Sequence, residues 1–203
     1  LPQTSIILPD GGYNLSTANI GLKVIKVNQA VCGNSSERYT SSTASAVKTF
    51  QRTHGLGVTG IVDITTWKAM GYSEYDWYNL GTYRTPIKVF NGATREYRIN
   101  AMLQTAAEYA SAGTKYKVGC SGTPGTYVDC SGLIYQCLYA AGINPASNIV
   151  DHALAIYEYT SANLAADNRL GIEVASYDLQ PGDLVFYAKN GKSSVCHIAI
   201  YGA

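Results

Sequence analysis

At 203 residues the chain has room for one domain or two small ones, and 46% hydrophobic content is enough to bury real cores, so a soluble globular protein is expected. A formal net charge of +1 with only 14% charged residues leaves no basic stripe for nucleic acid and no polybasic patch for a membrane surface. No apolar run reaches membrane-spanning length and the start at Leu1-Pro2-Gln3 carries no export signal, so an exported protein is expected to be a processed or trimmed form.

Residues 1–17, rich in Pro, Gly, Ser and Thr, read as an extended lead-in with no evident chemistry. From Asn19, Gly21-Leu22-Lys23-Val24 with Val27 and Val31 predict a short helix, followed by a polar loop through Ser35, Ser36 and Ser42. A second helix carries Ala46, Val47 and Phe50. After the glycine-punctuated turn Gly55-Leu56-Gly57-Val58-Thr59-Gly60, Asp63 is placed to cap a third helix bearing Ile64 and Trp67. Residues 18–72 are thus expected to form a small three-helix domain. His54, at the end of the second helix, suits a structural role there better than metal ligation. Residues 73–97, with Tyr75, Trp77, Tyr78 and Tyr83, are too aromatic for a free tether and read as a linker that packs.

Ile99, Met102, Leu103, Ala106, Ala107 and Ala110 then mark an amphipathic helix expected to pack beneath a sheet. Leu133, Ile134, Cys137, Leu138 and Ala141 mark another, ended by Gly142, and this one begins at Asp129-Cys130-Ser131-Gly132. Free backbone N–H groups and the positive end of the helix dipole favour thiolate over thiol at such a position, and the same N–H groups can stabilise an oxyanion. Further on, Pro181-Gly182 predicts a turn into a strand, Asn190-Gly191 a hairpin turn, and Val195 to Tyr201 the returning strand that carries His197. Cys130 and His197 are the two parts of a nucleophile–base pair, with the sulfur expected roughly 3 to 4 Å from the ring. The five cysteines, Cys32, Cys120, Cys130, Cys137 and Cys196, show no C-x-x-C spacing, which argues against structural zinc. Their odd number fits one reactive thiol with the others free or bridged.

Four ordered blocks carry a family resemblance: Lys115-Tyr116-Lys117-Val118-Gly119, Asp129-Cys130-Ser131-Gly132, Leu179-Gln180-Pro181-Gly182-Asp183-Leu184-Val185-Phe186 and His197-Ile198-Ala199-Ile200-Tyr201. With them residues 98–203 resemble the NlpC-type cell-wall endopeptidases, bacterial relatives of the papain-like peptidases. Ala46-Val47-Lys48-Thr49-Phe50-Gln51 with Gly55-Leu56, Gly60-Ile61-Val62 and Thr66-Trp67 resemble the peptidoglycan-binding domain found beside many wall hydrolases. The resemblance implies an α+β fold, a three-helix domain followed by a papain-like domain whose nucleophile helix packs on an antiparallel sheet. It also implies that Tyr116 faces the cleft, that Asp129 and Ser131 help hold the free amine of an N-terminal L-alanine, and that the stretch around His152 runs along the substrate groove. Asp129 is equally placed to be a simple helix cap. Val118 and Cys120 stand where the family has an aromatic and a second glycine. The polar residue that usually orients the histidine, about a dozen positions after it, is absent from a chain ending at Ala203, so either the sequence is truncated or another group serves.

The expected function is a secreted peptidoglycan hydrolase with catalytic Cys130 and His197, substrate-binding Tyr116, Asp129, Ser131 and His152, and no metal or organic cofactor. The favoured bond is that from D-glutamate to the diamino acid. An amidase or other endopeptidase of the same superfamily, or a wall-binding protein without catalysis, remain alternatives. The module at 18–72 is expected to concentrate the enzyme on peptidoglycan and to take no part in bond breaking. No nucleic acid or membrane insertion is expected.

Overall fold

The computed structural model describes residues 13–81, 83–145, 160–167 and 170–202. Its N-terminal part holds α1 (Leu22–Cys32), α2 (Ser41–Thr53), α3 (Ile64–Ala69) and a short α4 (Glu74–Asn79). The starts of α2, α3 and α4 are written in the sequence: Thr40 accepts from Thr43 N–H, Asp63 from Thr66 N–H and Ser73 from Asp76 N–H. Thr40 pulls the start of α2 forward to Ser41, so Ser42 belongs to the helix and not to the preceding loop. Gly33 closes α1 in the left-handed region at φ 64°. Leu15, Val24, Val27, Tyr39, Val47, Val62, Trp67 and Trp77 form the core of this part.

Two of those residues correct the sequence reading. Leu15 exchanges backbone hydrogen bonds with Val62 at 2.9 and 3.0 Å, so the lead-in ends as a core-forming bridge. Trp77, assigned to the linker, stacks obliquely on Trp67 at 5.6 Å from within α4, a helix too short for periodicity to reveal. The rest of the linker does pack, but on the second domain. Thr85 N–H and Oγ1 donate to Gln136 Oε1 at 2.8 and 2.9 Å, the Arg84 guanidinium lies 4.4 Å from the Tyr139 ring centroid, and Lys88 N–H donates to Ala140 O at 2.8 Å.

The second domain contains α5 (Arg95–Ser111), β1 (Lys115–Tyr116), β2 (Tyr127–Val128), α6 (Cys130–Ala140), α7 (Ser161–Ala166), β3 (Leu184–Ala188) and β4 (Val195–Ile200). β1 and β2 make a two-residue parallel pair, and β3 and β4 an antiparallel hairpin. The α+β class and the helix-on-hairpin arrangement hold, with the sheet split into these two pieces. α5 buries Ala101, Met102, Thr105 and Tyr109. Its buried face is therefore rotated from the expected one: Ala107 and Ala110 stay outside because Tyr109 buries more surface and its hydroxyl reaches Gly122 O at 2.7 Å. α6 departs further, being buried almost all round, with Leu133 and Cys130 the half-buried exceptions. It is a core helix, flanked by α5, the linker, β2 and the hairpin.

Candidate active site

The site is built at the first turn of α6. Asp129 is its N-cap in extended conformation, with φ −100°. One carboxylate oxygen accepts from Gly132 N–H at 2.7 Å and Ser131 Oγ–H at 3.0 Å, and the other from Gly119 N–H at 2.8 Å. The side chain is 6% exposed, so these donors take the place of solvent. Gly132 is glycine for want of space: a Cβ there would stand 2.3 Å from Cys120 O. That close approach lets Cys120 O accept from Asp129 N–H at 2.8 Å, locking the 117–122 loop to the helix start.

Cys130, the first residue of α6, is half-buried against the core that Ile134 and Leu138 help form. Tyr116, at the end of β1, is 59% exposed and pairs in register with Val128, two residues before Cys130. Partial burial, then the neighbouring Cys130 and the Asp129 charge, push its phenol up to about 12, so it is a neutral O–H at physiological pH.

His197 lies on β4, opposite Tyr187 of β3, with ring centroids 5.8 Å apart. The register shifts beside this pair: Ala188 faces Val195 and Tyr187 faces His197, leaving Cys196 as the extra residue of a bulge. The adjacent Ile198 is buried with Ile134, Tyr135 and Leu138, anchoring β4 to α6, while the His197 side chain is exposed. In the turn before β3, Gly182 and Asp183 each have a structural reason. Gly182 adopts φ 94° with Ile99 so close that a Cβ would meet it at 2.7 Å, and Asp183 accepts from Gln180 N–H at 2.8 Å while pairing with Arg95 of α5 at 3.5 Å.

The structure thus gathers Tyr116, Asp129, Cys130 and Ser131 around one helix start and places His197 on the strand packed against that helix. His152 lies outside the described residues. The cysteines are free thiols; burial pushes Cys137 up to about 12 and Cys120 higher still, with the Asp129 and Glu37 charges adding to the latter. His54 caps α2, its Nδ1 2.8 Å from Phe50 O and its ring stacked on Phe50 at 3.9 Å.

Sequence reasoning passed over Gln136. Its buried amide donates to Tyr83 O at 3.0 Å and Ser121 Oγ at 2.8 Å while its carbonyl serves Thr85, so one side chain ties the linker and the 117–122 loop to α6. A buried amide on an otherwise apolar helix was the available signal.

Residues 26–70 match the family described as "Putative peptidoglycan binding domain", and residues 113–202 match the NlpC/P60 family. Comparison with curated proteins and with solved structures returned no match. The two family matches, in this order along the chain and with the second spanning the site at α6, point to cell-wall peptidase or hydrolase activity with peptidoglycan as partner: the chain carries a peptidoglycan-binding domain at residues 26–70 followed by an NlpC/P60 domain at residues 113–202.

Proposed function

We propose that the protein is a secreted hydrolase that cleaves a stem-peptide amide of peptidoglycan through a Cys130 thioester, with the D-glutamate to diamino-acid bond as its favoured target. The observation that carries this reading is a half-buried thiol on the first residue of a capped helix, beside the strand residue Tyr116. His197 takes the thiol proton as the Cys130 sulfur attacks the carbonyl carbon, and the C–N bond breaks as the imidazolium passes that proton to the leaving amine. Water, deprotonated by the same imidazole, then releases the acid and restores the thiol. The oxyanion formed in each half-reaction is stabilised by the first-turn N–H groups and the Tyr116 O–H.

Tyr116, Asp129 and Ser131 are assigned to the amine of an N-terminal L-alanine. Asp129 already accepts three hydrogen bonds, so its part is long-range charge, while the neutral Tyr116 hydroxyl oxygen serves as an acceptor for the ammonium. The test is digestion of purified muropeptides with product masses read by mass spectrometry. Wild type should split the stem after D-glutamate, with Cys130→Ala and His197→Ala each slower by about a thousandfold or more. Wild-type turnover in Cys130→Ala overturns the mechanism. Release of the intact stem from its sugar would assign the amidase alternative, and sacculus binding without any product would leave only wall binding.

A further inference from the structure

The N-terminal module reaches the edge of the candidate active site through the Lys117 ammonium. Lys117 follows Tyr116 directly, and its ammonium donates to Ser35 O at 2.8 Å and pairs with Glu37 Oε2 at 3.3 Å, both in the loop between α1 and α2. The pair is largely sheltered, the side chains being 27% and 18% exposed. Its acceptors are held in advance. Buried Asn28 donates to Ser36 O at 2.8 Å and Arg38 O at 3.1 Å, and is itself fixed by Thr43 Oγ–H at 2.7 Å from α2. On the far side, Lys117 N–H donates to Val128 O at 3.0 Å, and the same loop supplies Gly119 N–H and Cys120 O to Asp129. Leu22 of α1 lies where a Cβ on Gly122 would touch it at 3.4 Å, so the contact has an apolar flank.

We infer that Glu37 is a positioning residue for the hydrolytic reaction: acting through Lys117, the peptidoglycan-binding module holds the segment that carries Tyr116 against the start of the Cys130 helix. The inference rests on the proposed role of Cys130 and extends the task of residues 18–72 beyond wall attachment. A sheltered ion pair with preorganised acceptors fixes a side chain far better than an exposed one, and here the fixed residue adjoins the tyrosine that pairs with Val128 beside the proposed nucleophile.

The experiment uses the full chain with Glu37→Ala, Glu37→Gln, Lys117→Met and the double variant Glu37→Ala/Lys117→Met. Three readouts are taken: kcat and KM on a soluble muropeptide, the pH profile of Cys130 alkylation by iodoacetamide resolved by peptide mass spectrometry, and sacculus binding. Glu37→Ala should lower kcat by about three- to tenfold and shift the alkylation profile in the direction that Tyr116→Phe does, with sacculus binding unchanged. The double variant should be no worse than Glu37→Ala alone, because the two residues form one interaction. Glu37→Gln, whose amide oxygen still accepts from Lys117, should recover part of the loss even if the alanine variant folds poorly. A wild-type alkylation profile in Glu37→Ala, or additive effects in the double variant, overturns the inference. Should the wild type release no product, the alkylation profiles still report on Tyr116 and Cys130, so failure of the proposed function and failure of this coupling are read separately.

Discussion

Replacing Asp129 by asparagine separates its two assigned roles, because the carboxylate is fully committed inside the protein. In Asp129→Asn one oxygen can still accept from Gly132 N–H and Ser131 Oγ–H, but the new NH2 then faces Gly119 N–H across the 2.8 Å that a hydrogen bond now occupies. Turning the amide over moves the same conflict to Gly132. Either way a buried donor is left facing another donor, which costs about 1.5–3 kcal/mol, and the uncharged cap loses roughly 0.5–1 kcal/mol more against the helix dipole. A total of about 2–4 kcal/mol lowers the unfolding temperature of a chain this size by roughly 5–15 °C. Calorimetry measures that directly; a shift below about 2 °C would refute the accounting. Activity well below the transition then addresses the ligand. If Asp129 also draws a free amine, kcat/KM should fall more for a free tetrapeptide than for its N-acetylated form. Equal loss on both substrates leaves Asp129 as a cap alone.

Two further outcomes follow from the buried groups. Gln136→Leu keeps the volume but strips partners from Tyr83 O, Thr85 N–H and Ser121 Oγ, so it should destabilise the second domain by about 3–5 kcal/mol in urea unfolding; a cost below 1 kcal/mol would mean that water replaces the amide. The native state should also weaken in alkali. Burial raises Cys137 from 9.0 to about 12, with Cys120, Tyr39 and Tyr109 raised too, so the folded chain resists losing those protons. Their contribution is complete below about pH 9 and is lost as pH climbs from 9 toward 12. Melting temperatures across that range should fall steadily, and a flat profile would contradict the burial of these groups.

Much of the candidate site's framework was legible because its parts are local. An Asp-Cys-Ser-Gly start before an apolar periodic run specifies a capped helix with a thiol on its first turn, and the Pro181-Gly182 turn with its two strands specifies the hairpin. What escaped depends on contacts distant in sequence. Trp77 joins the N-terminal core only once Trp67 is in place. Tyr109 is chosen over Ala107 and Ala110 for the buried face of α5 by a carbonyl thirteen residues away. Lys117 reads as an ordinary surface charge until the fold brings Glu37 beside it, 80 positions earlier in the chain.

A helix as buried as α6 poses a problem at its start, where N–H groups lack partners inside the helix and a shielded orphan costs free energy. The sequence answers with Asp129, which takes Gly132 N–H, is itself fixed by Ser131 Oγ–H and Gly119 N–H, and is only 6% exposed. Tyr116 carries no such duty to the fold: it sits on a two-residue strand with an exposed ring. If Tyr116 serves the proposed reaction, Tyr116→Phe should lower kcat while leaving the melting temperature near wild type, the reverse of the balance expected for Asp129→Asn; a melting temperature that falls as far as in Asp129→Asn would make Tyr116 a structural residue instead.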